Sequence, residues 1–298
     1  FDSRYTSYIQ FSDPEICVPL KLNGFRVNAD ESWGGRINYK GFVHTFGSLV
    51  PQSKYAAEHP EYYSEINGKR VLERTQLCLT NPDVLRIATA TVRSWLKDAA
   101  PDVSIVSVSQ NDWHNYCRCP PCQALADREE SQSGPLLHFV NAIARDIAAD
   151  YPHISIDTLA YQYTRKAPKV VRPEKNVIVR LCSIECCFAH SLENCERNRS
   201  FVTDIEAWAA ISPRLDIWDY TINFAHSTMP FPNLRVLQPN LQFFRRNQVR
   251  GMLEQGNRFT KGGEFQDLRG YVIAKLLWNP DEDVARLHVL VAYGLQRR

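Results

Sequence analysis

Two glutamates close apolar runs of this sequence in positions where a carboxylic acid could do chemistry. Glu185 ends NVIVRLCSIE (176–185), and Glu254 stands in VRGMLEQGN (249–257). Cleaving a glycosidic bond needs an acid to protonate the leaving oxygen and a group to stabilise an oxocarbenium-like carbon. Glu185 lies between Ile184 and Cys186 and is expected to be partly desolvated, which raises its pKa and keeps a proton available near neutrality. An ion pair with Arg180 is its plain structural alternative. Glu254 is flanked by Gly251 and Gly256, which allow tight turns and close approach to a ligand; its alternative is to organise a loop. Spacing does not decide which of the two is the acid.

Asn111 and Asp112 close VSIVSVSQND (103–112). A carboxylate or amide there could orient the N–H of an attacking acetamido group and balance its developing charge. It could also bind sugar hydroxyls, or simply cap the next segment. Trp218, Asp219 and Tyr220 form an aromatic and acidic group at another run's end. Alternation along a strand puts Trp218 and Tyr220 on one side and Asp219 on the other, with the two rings as the sugar contacts. Tyr161 and Tyr163 offer a similar platform, with core packing as the alternative. His44 is a candidate hydroxyl ligand or a structural histidine. Gln238 and Asn240 complete the polar run ends.

The cysteines invite a metal reading. Cys117, Cys119 and Cys122 make C-x-C-x2-C, half of a zinc site that Cys78 or His114 would complete. A disulfide within that loop, or reduced thiols, competes with it, and the chemistry above calls for no metal or other cofactor. Cys186 and Cys187 read as packing residues, and Asn198 opens a formal glycosylation sequon, N-R-S.

These residues need elements to position them. Apolar, β-branched runs at 103–112, 154–164, 176–185, 214–224, 233–240 and 249–257 predict six strands. Segments at Arg4–Ile9 and Gly41–Phe46 could supply two more. Helical periods predict helices at 81–100, 134–151, 201–211 and 265–280. In the second, Leu136, Leu137, Val140, Ile143, Ala144 and Ile147 recur three and four apart. Asn81 ahead of Pro82 predicts an N-cap. Strands buried on both faces and separated by amphipathic helices are the pattern of parallel β/α architecture. The count favours a (β/α)8 TIM-like barrel, one catalytic domain over 1–298, with an elaborated loop at 47–80 and a cysteine-containing loop at 113–133. Reacting groups of such a barrel sit at the carboxyl ends of its strands. No G-x-G-x-x-G or P-loop follows any strand.

Composition narrows the class. Of 298 residues, 44% are hydrophobic and 23% charged, a globular mixture, and the formal charge of +2 lacks the basic excess of a nucleic-acid binder. No apolar run is long enough to span a membrane. The chain starts without Met or a leader, so upstream sequence, including a further domain, is expected to be missing.

The segments HTFGSLVP, HPEYYSEINGKR, QLCLTNPDVL, SVSQNDWHNYCRCPPC, NVIVRLCSIECCF and LRGYVIAKLLWNPDEDV, in that order, resemble a bacterial family long carried as a domain of unknown function and now classed with glycoside hydrolases. The resemblance covers residues 1 to about 285. It implies endo-β-N-acetylglucosaminidase action on complex N-glycans, an oligosaccharide or glycoprotein glycan as substrate, and a periplasmic, cell-surface or secreted location. It also implies retention of configuration, with the substrate's acetamido group as nucleophile. Competing readings are an exo-hexosaminidase, a uronate-specific enzyme using Arg4 or Arg180 to fork a carboxylate, and a carbohydrate-binding barrel without catalysis.

Overall fold

The structure, a computed structural model, describes residues 1–289 apart from 9, 10, 12, 28, 30, 100, 259 and 261. The ends of two sequence expectations, Ile9 and Ala100, lie outside the described residues, as does 290–298. The chain is mixed α/β and divides into two compact units.

The first unit comprises Phe1–Ile37, Ser183–Ala209 and the chain from Leu215 onward. Its strands are β1 (Ser3–Thr6), β8 (Leu215–Tyr220) and β9 (Val249–Gln255). All pair in parallel in the order β1-β9-β8. The register sets Thr6 and Asp219 beside Glu254 on its two sides, so these three side chains share one face. The helices are a short α1 (Pro14–Cys17), α7 (Arg199–Ile211), which runs from the first unit into the second, α8 (Leu234–Arg246) and α9 (Gln266–Trp278).

The second unit comprises Asn38–Cys182 and Ala210–Arg214. Its parallel strands are β2 (Asn38–Lys40), β5 (Val103–Ser107), β6 (Ser155–Ala160) and β7 (Val177–Cys182). They pair in the order β2-β5-β6-β7. Helix α4 (Pro82–Lys97) connects β2 to β5 through the elaborated region; α5 (Pro120–Arg128) and α6 (Ser133–Ala148) connect β5 to β6. Asn81 caps α4, its Oδ1 accepting from the N–H groups of Asp83 and Val84 at 2.9 and 3.3 Å. The whole predicted apolar face of α6 is buried, each Val, Leu or Ile contributing roughly 1.5–3 kcal/mol. The 47–80 region holds the short helices α2 (Phe46–Leu49) and α3 (Gln52–Tyr55) and an antiparallel hairpin, β3 (Glu65–Ile66) and β4 (Lys69–Arg70). Asn67 and Gly68 turn that hairpin with φ of 52° and 74°, as a two-residue type I′ turn requires.

Three sequence expectations are corrected. The run at 233–240 is no strand. It forms the first half of α8, whose Val236, Leu237, Leu241 and Phe244 are buried at helical spacing. Pro239 inside that helix disguised it, because proline removes an i→i−4 hydrogen bond. The second correction shifts the strand expected at Gly41–Phe46 to Asn38–Lys40, with His44 left in the following turn at φ 57°. Third, the described residues hold seven strands in parallel pairings where eight were expected, three in one unit and four in the other.

Candidate functional site

In the second unit, the carboxyl ends of β5 and β6 bring together three of the residues singled out by sequence. Asp112 accepts a hydrogen bond from the Tyr161 hydroxyl at 3.0 Å, and that hydroxyl in turn accepts from Gln162 Nε2 at 2.9 Å. The His44 ring lies 6.1 Å from the Tyr161 ring, with Nδ1 2.8 Å from the Gln110 carbonyl. His44 and Gln162 both have left-handed backbone, φ 57° and 51°. Neither is glycine, so each conformation costs about 1–3 kcal/mol and persists because surrounding bonds impose it. His44 N–H donates to Ser109 Oγ at 2.9 Å. Asp112 is exposed and Tyr161 buried, so the carboxylate faces solvent on a fixed base.

Asn111, next to Asp112, engages both ends of its amide. Oδ1 accepts from Gly47 N–H, Nδ2 donates to the Thr75 carbonyl, and the Asn111 N–H donates to Gln76 Oε1 at 2.8 Å. Sequence reasoning missed Gln76, Gln110 and Gln162, because their hydrogen-bond partners lie about 35 to 54 positions away or, for Gln162, on a neighbouring ring whose orientation local spacing does not give. Tyr163 stacks on Tyr116 at 4.8 Å between ring centroids.

In the first unit, Trp218 and Tyr220 lie on one face of β8 with rings stacked 6.2 Å apart. Trp218 Nε1 donates to Gln255 Oε1 at 2.7 Å. Phe188 stacks on Tyr220 at 5.9 Å, and Phe224 meets its edge. Phe188 therefore brings the segment after β7 to this aromatic group. That segment carries Glu185, which is exposed in a turn closed by Cys186 N–H on the Ser183 carbonyl. The expected desolvation of Glu185 is corrected: Ile184 and Cys186 flank it in sequence without covering it.

Asp219 and Glu254 take the opposite face as register partners. Both are buried, and Glu254 Oε2 meets no hydrogen-bond partner. Burial, with Asp219 beside it, pushes the Glu254 carboxyl well above its ordinary 4.5. Burial likewise lifts Asp219 from 3.8 to about 6 against the opposing hydrogen bond from Ser183 Oγ. The pair holds protons that isolated carboxyl groups would have shed. Just beyond the strand ends is a small cleft lined by Tyr8, Thr221, Asn257, Glu264 and Arg269.

Asn240, on α8, accepts the Leu192 N–H at 2.9 Å, and Gln238 donates to the carbonyls of Pro280 and Glu282. Both are removed from any strand end by the correction above. Arg180 is paired with Asp157 at 2.8 Å, and Arg4 donates to the Lys21 carbonyl, which engages both arginines considered for a uronate. Asn198 of the N-R-S sequon is buried, accepting from and donating to the Cys187 backbone. Cys187 departs from the packing role expected of it: the His190 ring 3.3 Å away holds its thiol down at about 7. Cys117, Cys119 and Cys122 are buried together with Cys78, and His114 is exposed. No helix among the described residues is long and apolar enough to cross a membrane.

Several solved structures are similar to this chain. Two are α-galactosidases of glycoside hydrolase family 36 from Geobacillus stearothermophilus. One is 12% identical over 85% of this chain and 32% of its own, with TM-score 0.44. The other is 12% identical over 76% and 29%, with TM-score 0.41. A family 138 glycoside hydrolase targeting pectin rhamnogalacturonan II is 10% identical over 98% and 38%, with TM-score 0.37. The chain thus spans between 29% and 38% of the length of these three structures. No curated protein sequence matches it. Residues 13–292 match a family described as a domain of unknown function, DUF4838, and because that match takes in nearly all of the sequence, the chain belongs to the DUF4838 family.

Proposed function

We propose that this chain is a single catalytic domain of a glycoside hydrolase on a (β/α)8-like frame, an endo-acting, retaining β-N-acetylglucosaminidase that cuts N-glycans. The observation that carries the reading is the exposed Asp112 carboxylate fixed by Tyr161 beside His44, at the ends of two parallel strands. Strained backbone on both sides of such a group is a mark of functional sites. The aromatic group of Trp218 and Tyr220 supports it as a surface for pyranose faces.

In this reading the bound glycan covers the exposed Glu185 and desolvates it; the acetamido oxygen attacks the anomeric carbon while Glu185 gives its proton to the leaving glycosidic oxygen, and the C–O bond breaks. Accepting the acetamido N–H and balancing the positive charge on the oxazoline-like ring calls for a second carboxylate, for which Asp112 is the candidate in the second unit. Water then loses a proton to the Glu185 carboxylate and adds to the anomeric carbon, which restores the acetamido group with retained configuration. In the second unit His44 is the candidate hydroxyl ligand, and in the first Trp218 and Tyr220 are the candidate platform for a sugar ring. The Glu254–Asp219 pair is the alternative proton source.

The test is incubation with high-mannose and complex N-glycoproteins, reading product masses. Glu185→Gln should lower kcat by at least about 100-fold, the usual scale of general acid catalysis, and Asp112→Asn by a similar factor. Full activity in both Glu185→Gln and Glu254→Gln removes the proposed acid. A second reading, a carbohydrate-binding barrel without turnover, is favoured by the seal over Glu254, 1% exposed on the face opposite the aromatic rings. Glycan binding by the folded wild type with no released product would decide for it.

A further inference from the structure

We infer that Cys78, Cys117, Cys119 and Cys122 form a tetrathiolate site for one zinc ion that locks the loop carrying Asp112. The sulfurs come from three stretches of chain: Cys78 before the cap of α4, Cys117 and Cys119 in the loop after β5, and Cys122 in the first turn of α5. All four side chains are buried, and their sulfurs lie within 4.8 Å of one another. Tetrahedral zinc with bonds of about 2.3 Å sets its sulfurs about 3.8 Å apart. Cys78 Sγ lies 3.6 Å from Cys119 Sγ and 3.9 Å from Cys122 Sγ, on either side of that edge. A disulfide would need about 2.05 Å.

The surroundings suit thiolates. Four of them around a divalent ion leave a net charge of −2, which buried sulfur does not tolerate without donors. The Glu65 N–H donates to Cys117 Sγ at 3.3 Å, and the Arg70 guanidinium approaches the same sulfur at 4.0 Å. Thr80 Oγ1 is 3.1 Å from Cys122 Sγ. Cys119 is the N-cap of α5, so the positive end of that helix also faces the cluster. With four protein ligands the ion has no open position, and its role is structural. It fastens both ends of the hydrogen-bonded stretch in which Asn111 is tied to Thr75 and Gln76. The inference does not depend on the glycosidase reading.

The test is elemental analysis of the full chain, expressed with zinc and purified under reducing conditions, beside three variants. The expected result is a wild type holding zinc, with Cys78→Ser and Cys119→Ser each lower by one equivalent per chain. Cys17→Ser, outside the cluster, should hold as much zinc as the wild type. To keep the test independent of how the cluster variants fold, cobalt(II) is also exchanged into the wild type. Intense thiolate-to-cobalt charge transfer with the visible bands of tetrahedral cobalt supports the site, as does release of one zinc per four thiols titrated with a mercurial. Zinc absent from the wild type, iron in its place, or peptide masses pairing any two of these cysteines in a disulfide overturns it. Retention of the full zinc content by folded Cys78→Ser and Cys119→Ser does so equally.

Discussion

Glu129 carries a buried charge that the chain satisfies completely. Burial pushes its pKa up, yet the N–H groups of Val171 and Val170 and the His138 ring outweigh burial and hold it down at about 2. The side chain is so closely fitted that a Cβ on Gly134 would come within 2.3 Å of it. Glu129→Ala strips the two N–H groups of their acceptor and should cost about 2–4 kcal/mol in urea unfolding. An exposed carboxylate such as Asp112 should cost under about 0.5 kcal/mol when changed to Asn. That contrast separates residues kept for stability from those free to act on a ligand. Glu129 and Glu130 are neighbours of the same type in the sequence; the fold buries the first and leaves the second exposed.

At the scale of elements, adjacent strands β6 and β7 are joined by more than their ladder. Arg180 donates from Nε and Nη2 to one Asp157 oxygen at 3.0 and 2.8 Å, both side chains being buried. Arg180→Met strips the buried Asp157 carboxylate of its guanidinium and should cost about 3–5 kcal/mol, while the double variant Arg180→Met/Asp157→Leu should recover most of it, as read from urea midpoints. Helix α9 has a different constraint: a Cβ at Gly270 would lie 2.2 Å from the Phe11 ring. Much of this level was legible. Periodicity located β5, β6, β7, β8 and β9 and the helices α4, α6, α7 and α9, and the cap at Asn81 was readable from three residues. Helix α8 was not, because the penalty at Pro239 is local whereas the burial of Leu241 and Phe244 that outweighs it is tertiary.

For the whole molecule, the oppositely shifted carboxyl groups predict a bounded pH range of stability. Glu129 is depressed, so its contribution is present above the ordinary 4.5 and is lost as pH falls through about 2. Asp219 is raised, so its contribution is full below 3.8 and is lost as pH climbs through about 6. Glu254 acts in the same direction from 4.5 upward. Thermal unfolding followed against pH should therefore show an acid limb and a decline on the neutral side. Glu254→Gln should flatten that decline, giving a variant more stable than wild type near pH 7. A decline unchanged in Glu254→Gln would assign it to other groups.

The sequence by itself determined the local matters: period, caps, run ends, and membership of a family whose motifs lie in order along the chain. Those depend on neighbours within a few residues, where backbone geometry is fixed by residue type. Tertiary structure alone decided that Glu185 is open and Glu254 sealed, that Asp112 rests on Tyr161, and that Cys78 joins cysteines some forty positions away. Burial and long-range pairing set solvation, and solvation sets what a carboxylate or thiol can do.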